Sequence, residues 1–200
     1  LDLVRRALPA GEFTVMYCDT GMEIEESKRM AQKTKEQCED EGIPFIWAIS
    51  HLDPADTWTS FGPPATYARW CCSVHKSTPM VLSLREHMGS NDFTPMSFIG
   101  LRHNESTFRS GVQLVQYSHT AKGTYECTPI IHWSSAELYT YAFINGLELN
   151  RAYRLGLNRV GCVVCPCAPN SHSKWRNKVL LDTNEGILKL LECVDKSYKQ

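Results

Sequence analysis

Two cysteine groups, Cys71-Cys72 and Cys162-Val163-Val164-Cys165, are the residues of this chain whose type and spacing point most directly to chemistry. A CxxC turn brings two thiolates onto one metal ion or one cluster edge. An adjacent pair is strained at a mononuclear tetrahedral site, because both sulfurs must reach one ion from neighbouring residues. A cubane offers a separate corner to each ligand, so adjacent cysteines each take an iron. The pattern therefore favours a 4Fe–4S cluster on Cys71, Cys72, Cys162 and Cys165. Zinc is one alternative; two unrelated groups of buried thiols is another. Nine cysteines is an odd and high number for 200 residues, and five of them fall into the two groups once Cys167 is counted. Clustering of this kind implies metal or redox work in a reducing, cytoplasmic compartment. Cys167, behind Pro166, is expected to be structural, and Cys18, Cys38 and Cys127 have no partner pattern.

Anion-binding groups come next. Arg102 and Arg109 are planar, bidentate donors suited to phosphate or sulfate oxygens. Lys76 follows Cys72 by four residues, close enough to feel both a bound anion and a cluster's negative charge. The plainer role for Arg109 is a surface salt bridge, with Glu105 and Ser106 orienting the arginine loop. Trp133 is expected to pack the core rather than stack on a base. A formal net charge of −1 argues against a general electrostatic grip on nucleic acid, though not against a local basic patch. No apolar run approaches the roughly 18 residues of a membrane span, and no membrane partner is expected.

The elements that must hold these groups follow from periodicity. A hydrophobic content of 42% suits one domain over residues 1–200. Leu1, Leu3, Val4 and Leu8 have helical spacing. Phe13 to Tyr17 reads as a strand ending in the turn Cys18-Asp19-Thr20-Gly21. Glu23 to Gly42 reads as a helix with glycine at its stop, and Pro44 to Ile49 as a second strand. Strand, helix and strand in that order imply a parallel βαβ unit. His51 to Tyr67 is expected to be a long irregular loop, and Ser97 to Leu101 a third strand. Ser134 and Glu137 form a capping box for a helix over Ala136 to Asn145. Glu185 to Lys196 is an amphipathic closing helix, with Cys193 packed in it. The fold class is α/β, a parallel sheet with flanking helices.

At this point the sequence resembles a known family. Arg69-Trp70-Cys71-Cys72-Ser73-Val74-His75-Lys76-Ser77-Thr78-Pro79 is similar to the Cys-Cys-x-x-x-Lys-x-x-Pro segment of APS/PAPS reductases, and Cys162-x-x-Cys165 to the second half of their cluster motif. Asp19-Thr20-Gly21 with Glu26-Ser27 resembles their Asp-Thr-Gly-x-x-Phe-Pro-Glu-Thr loop. Gly100-Leu101-Arg102 with Glu105-Ser106 and Arg109 resembles their arginine loop. Trp133, Leu149-Asn150, Tyr153, Gly156 and Gly161-Cys162 follow the family's stretch before the second cysteines. The resemblance implies an adenine nucleotide alpha-hydrolase-like fold. It implies a nucleotide site at Asp19, Thr20, Gly21, Lys76, Arg102, Glu105, Ser106 and Arg109. It also implies a charge role for His75, where the family carries a basic residue. The substrate would be ATP or a sulfonucleotide.

Two departures shape the functional expectation. The family's opening strand and Ser-Gly-Gly/Ala-x-Asp-type phosphate loop have no counterpart, and the helix at Leu1 is what should follow them. The family's Glu-Cys-Gly-(Leu/Ile)-His tail is represented only by Glu192-Cys193, inside a helical pattern. The first reading is reduction of APS or PAPS to sulfite with a thioredoxin-like reductant, favoured by the adjacent cysteines. The second is an ATP pyrophosphatase-type sulfurtransferase that adenylates and thiolates a target such as DNA, supplied by a cysteine desulfurase. The altered tail favours that one. The third is a non-catalytic binding module stabilised by a cluster or zinc.

Overall fold

Asp2–Ala7 (α1) leads through a short turn into Val15–Asp19 (β1), which pairs in parallel with Phe45–Ile49 (β2) from Val15 opposite Phe45 to Asp19 opposite Ile49. The structure is a computed structural model that describes residues 1–118, 123–154, 160–163, 165 and 185–198. Between the two strands runs Glu25–Asp40 (α2), whose first turn carries Glu25 and Glu26 at the positive end of the helix dipole. Its end is the glycine stop read from the sequence. Gly42 has φ 68°, and Ile43 N–H reaches back to the Cys38 carbonyl at 2.8 Å. The expected βαβ unit is therefore present. Glu23, expected to open the helix, lies outside it.

The stretch expected to be an irregular loop contains Pro54–Phe61 (α3). The Asp53 carboxylate accepts from Ala55 N–H at 2.7 Å and Asp56 N–H at 3.3 Å, and Pro54 fills the first turn, where no N–H is needed. Trp70–Cys72 (α4) then begins a helical run that continues through Ser73–Ser77 into Thr78–Met88 (α5). In Ser73–Ser77 the chain makes one wide turn, with Thr78 N–H bonded to the Ser73 carbonyl five residues back. Pro79 supplies a cause, since it has no N–H to give the His75 carbonyl. The Cys18 thiol donates there instead, at 3.4 Å, and lies 3.6 Å from the Lys76 carbonyl. Cys18 is thus a packed thiol with a definite task.

The same turn buries His75 completely. Its Nδ1 lies 2.7 Å from Ser50 Oγ and its Nε2 2.8 Å from Thr57 Oγ1, while burial lowers its pKa. The charge role expected for His75 is therefore wrong. Burial disfavours a charge on the ring, which ties α5 to the end of β2 and to α3.

Met96–Phe98 (β3) is shorter than the expected strand. It pairs in parallel with Tyr125–Cys127 (β5), and Val115–Tyr117 (β4) pairs with β5 antiparallel. The described strands thus form two small sheets, each with a parallel pair; the antiparallel β4 was not expected. Ser135–Ile144 (α6) has the capping box read from the sequence, with Glu137 N–H on Ser134 Oγ at 3.1 Å and Ser134 N–H on Glu137 Oε2 at 2.7 Å. It docks on α1 through Tyr141 Oη–H to Asp2 Oδ2 at 2.6 Å. Glu185–Tyr198 (α7) packs on α3. One apolar cluster joins Ile24, Ala152 and Val163; another joins Met22, Trp58 and Leu190. Among the described residues no helix is long and apolar enough to cross a membrane.

The lowered pKa of His75 gives stability a defined pH dependence. A histidine whose folded pKa is depressed contributes stability that is full above its unfolded pKa of about 6.5 and is lost as pH falls through that value. Urea midpoints at pH 7.5, 6.5 and 5.5 should fall with pH. His75→Gln should flatten that slope while costing about 1–2 kcal/mol at pH 7.5 through its weaker pairing with Ser50 and Thr57. Equal slopes in both proteins would show that His75 is not the titrating group.

Candidate functional site

The turn after β1 and the CxxC limb meet edge to edge. Glu23 and Cys162 form an antiparallel bridge, and Val163 N–H donates to the Met22 carbonyl at 2.8 Å. The Glu23 carboxylate accepts from Thr20 N–H at 3.0 Å and from Thr20 Oγ–H at 2.7 Å, and Cys162 Sγ lies 3.8 Å from the same carboxylate. Thr20 Oγ is itself 3.6 Å from Cys162 Sγ. Burial raises the pKa of Glu23, and the Thr20 bonds oppose that rise. Asp19 takes Gly21 N–H at 2.9 Å and Lys28 Nζ at 3.1 Å. Gly21 has φ 75°, and a Cβ there would stand 3.0 Å from Pro54 Cγ, so this position needs glycine for both reasons.

The four cysteines singled out from sequence lie near enough to affect one another. Cys71 donates to Cys72, which raises the pKa of Cys71, with burial and the charges of Cys72, Cys162 and Cys165 adding to the rise. The same bond lowers the pKa of Cys72, and Lys76 and Arg69 lower it further. Burial and the nearby Glu23 push Cys162 up to about 12, against the pull of Thr20 and Lys76. Cys72 and Lys76 are exposed, whereas Cys71, Cys162 and Cys165 are half-buried. Cys71, Cys162, Trp70 and Cys193 border the Met22–Trp58–Leu190 cluster. Among the described residues no three His, Cys, Asp or Glu side chains close on a single ion. Four cysteines from two segments are the donor chemistry that an iron–sulfur cluster takes, each thiolate at its own iron. The buried Trp58 Nε1–H has no hydrogen-bond partner among the described residues. Cys167 and Gly156 lie outside the described residues.

The arginine loop forms a second group. Arg102 is 5% exposed, with Nε 3.3 Å from Glu105 Oε1 and Nη1 3.0 Å from Ser135 Oγ. Arg109 pairs with the other oxygen of Glu105. Ser106 Oγ accepts from Arg109 N–H at 3.4 Å. The two guanidiniums therefore share one carboxylate, which covers both the orienting role expected of Glu105 and Ser106 and the salt bridge considered for Arg109. Trp133 is half-buried against Tyr141, with ring centroids 5.1 Å apart. Tyr153 feels the charge of Arg102 and takes a backbone hydrogen from Val160, so it links this loop to the CxxC limb. Motifs far apart in sequence also meet at α2, where Asn150 Nδ2 donates to Ser27 Oγ at 3.3 Å and Arg151 N–H to Glu26 at 3.3 Å.

Cys193 is half-buried in α7, 3.8 Å from the Ala55 carbonyl and 3.7 Å from Thr59 Oγ1. That is the packed helical position expected of it. Sequence reasoning missed Glu23 and Trp58. Glu23 carries a signal, an acidic residue directly after Asp19-Thr20-Gly21-Met22, but it falls in the charged, proline-free stretch that reads as a helix.

Comparison with known proteins shows the family and the fold. The phosphoadenosine phosphosulfate reductase domain matches residues 1–168. An uncharacterized protein of Methanocaldococcus jannaschii is 27% identical over 181 residues, covering 83% of this chain and 36% of that protein. An adenosine 5'-phosphosulfate reductase of Bacillus anthracis is 26% identical over 184 residues, covering 90% of this chain and 77% of the relative. The chain thus spans about a third of the archaeal relative and about three quarters of the bacterial one. The crystal structure of phosphoadenylyl-sulfate (PAPS) reductase from Candida auris, a phosphate complex, superposes with a TM-score of 0.55 at 14% identity. It covers 80% of this chain and 73% of its own, a likeness of fold. With the family domain matched over most of its length, the chain belongs to the phosphoadenosine phosphosulfate reductase family.

Proposed function

We propose that this chain is the nucleotide-handling core of an iron–sulfur enzyme that reduces a sulfonucleotide, APS or PAPS, to sulfite. The observation that carries the reading is the junction of the Asp19–Thr20–Gly21 turn with Cys162, beside a thiol group that Lys76 also faces. Cys71, Cys72, Cys162 and Cys165 would hold a 4Fe–4S cluster. Bound there, it would supply a polarising, redox-capable sulfur cage next to the substrate's sulfonyl group.

The chain's own residues have separable tasks in this reading. The turn after β1 presents backbone to the nucleotide, because its side chains are already engaged with Glu23 and Lys28. Lys76, exposed beside the thiols, attracts the anionic sulfonyl oxygens and offsets the negative charge that four thiolates bring. Arg109, less enclosed than Arg102, offers its guanidinium edge to a phosphate or sulfate, and Glu105 aims it. Arg102 holds the loop to α6 through Ser135. Reduction cleaves the sulfur–oxygen bond of the phosphosulfate, releasing AMP from APS or adenosine 3',5'-bisphosphate from PAPS. The two electrons that turn the sulfonyl group into sulfite come from a thioredoxin-like dithiol, which ends as a disulfide. Cys193 remains a packing residue.

A second reading has one observation in its favour: Cys193 sits in a helix rather than in a mobile tail. It is an ATP-dependent sulfurtransferase that adenylates a target such as DNA and receives sulfur from a cysteine desulfurase. Titration of the full chain with APS, PAPS and ATP separates the two. Preference for a sulfonucleotide supports reduction, and preference for ATP with pyrophosphate release supports sulfur transfer.

Purified without oxygen, the protein should be brown and carry about four irons per chain. Cys71→Ser or Cys165→Ser should bleach it, and Cys38→Ser should not. Stoichiometric zinc with negligible iron would sink the cluster assignment.

Arg109→Ala should weaken sulfonucleotide binding by about 1.5–3 kcal/mol, as for a charge-assisted hydrogen bond, with the melting temperature little changed. Glu105→Ala should instead cost about 3 kcal/mol of stability, because it strands the buried Arg102 charge. Unchanged affinity in Arg109→Ala, measured by calorimetry, would reduce that arginine to a partner of Glu105.

A further inference from the structure

Trp58 is 3% exposed, and its indole Nε1–H is buried with no hydrogen-bond partner among the described residues. Native proteins seldom leave such a donor unmet, because it has given up water and gained nothing in exchange. The ring lies on α3 with Met22 and Leu190, in the apolar group bordered by Cys71, Cys162, Trp70 and Cys193. Four of the residues in or beside that group, Met22, Cys71, Cys162 and Cys193, carry sulfur. A neutral thiol accepts weakly. A metal-bound thiolate or a cluster sulfide carries negative charge and accepts well, and hydrogen bonds to such sulfurs help set the potential of iron–sulfur centres. Packing alone does not account for the choice of residue, since phenylalanine would line the same wall without a stranded N–H.

We propose that Trp58 is a positioning residue for the sulfur site, donating its indole N–H to a sulfur of the cluster carried by Cys71 and Cys162. This rests on the reading of the four cysteines as cluster ligands. It adds a donor from α3, an element that none of the sequence motifs includes. The bond stabilises the more negative, reduced form most, so it raises the cluster's reduction potential. It also slows iron loss, because release would leave the donor unmet again. Through α3 it ties the site to α7, which packs on the same helix.

The test compares the full chain with Trp58→Phe, each metal-free and after reconstitution with ferrous iron and sulfide. Replacement of Trp58 by 3-benzothienylalanine, which keeps the indole's shape and lacks the N–H, covers the case in which the phenylalanine variant folds poorly. Both variants should lose iron to a chelator about fivefold faster, a modest coupling between sites, and both should show a more negative midpoint potential. The benzothienyl protein, metal-free, should melt no lower than wild type. Equal potentials and equal iron loss in all three proteins would leave Trp58 as packing alone and overturn the proposal. A wild-type chain that takes up no iron would remove the functional reading itself, an outcome seen in the iron assay before any variant is compared.

Discussion

Backbone pairing of Glu23 with Cys162 joins the turn after β1 to a cysteine 139 residues further along the chain, and the geometry of the whole site depends on that join. Bringing such distant segments together costs loop-closure entropy that grows slowly with length but must still be met by local contacts. Here the contacts are layered. Two backbone strands touch, a carboxylate takes both donors of Thr20, and two apolar clusters flank the join through Met22 on one side and Ile24 with Val163 on the other. The Asp19–Thr20–Gly21 turn is thereby held by groups that do not themselves need to meet a ligand. That division explains why Asp19 and Thr20, chosen from sequence as binding side chains, both have internal partners.

Charge is the second theme. Four thiolates and an anionic nucleotide in one place would repel strongly, and the bond to Cys72 with burial at Cys71, and burial at Cys162, make each thiol harder to ionise alone. Lys76 and Arg69 work the other way on Cys72. A metal of high positive charge would complete that balance, since it lets a coordinating thiol lose its proton outright. The arginine loop solves a related problem differently. Arg102 and Arg109 are kept close together by the single carboxylate of Glu105, which permits two cations to share a small, partly enclosed volume.

Much of this was legible in the sequence where the signal is local. Ser134 and Glu137 announce α6, Gly42 announces the end of α2, and the cysteine spacing announces a convergent thiol group. Local signals were also present and overlooked: Asp53-Pro54 is an N-cap followed by a first-turn proline, yet the prolines around Gly62 made the region read as loop. The misreading of His75 has another cause. Its two partners come from the end of β2 and from α3, and nothing near His75 in the chain indicates that both ring nitrogens will be met. Glu23 and Trp58 were hidden for the same reason, since their importance arises only once distant segments pack. The β4–β5 pairing was missed because three-residue strands carry too little alternation to stand out.

The wide turn at Ser73–Ser77 has a further consequence for how this segment tolerates change. One residue more than a regular helical turn sits between the cysteine pair and the body of α5. A wide turn closes about one revolution with that extra residue inside it, so the residue is absorbed locally and the thiols keep nearly the phase of an even helix relative to the face that α5 turns toward β1 and β2. Deleting one residue of the turn would restore an even helix and leave Cys71 and Cys72 at nearly their present angle, so the loss would fall on the side chains of the turn itself, His75 among them. A change of length is absorbed by the turn, whereas the buried His75 ring that the turn presents to Ser50 and Thr57 is the part under constraint.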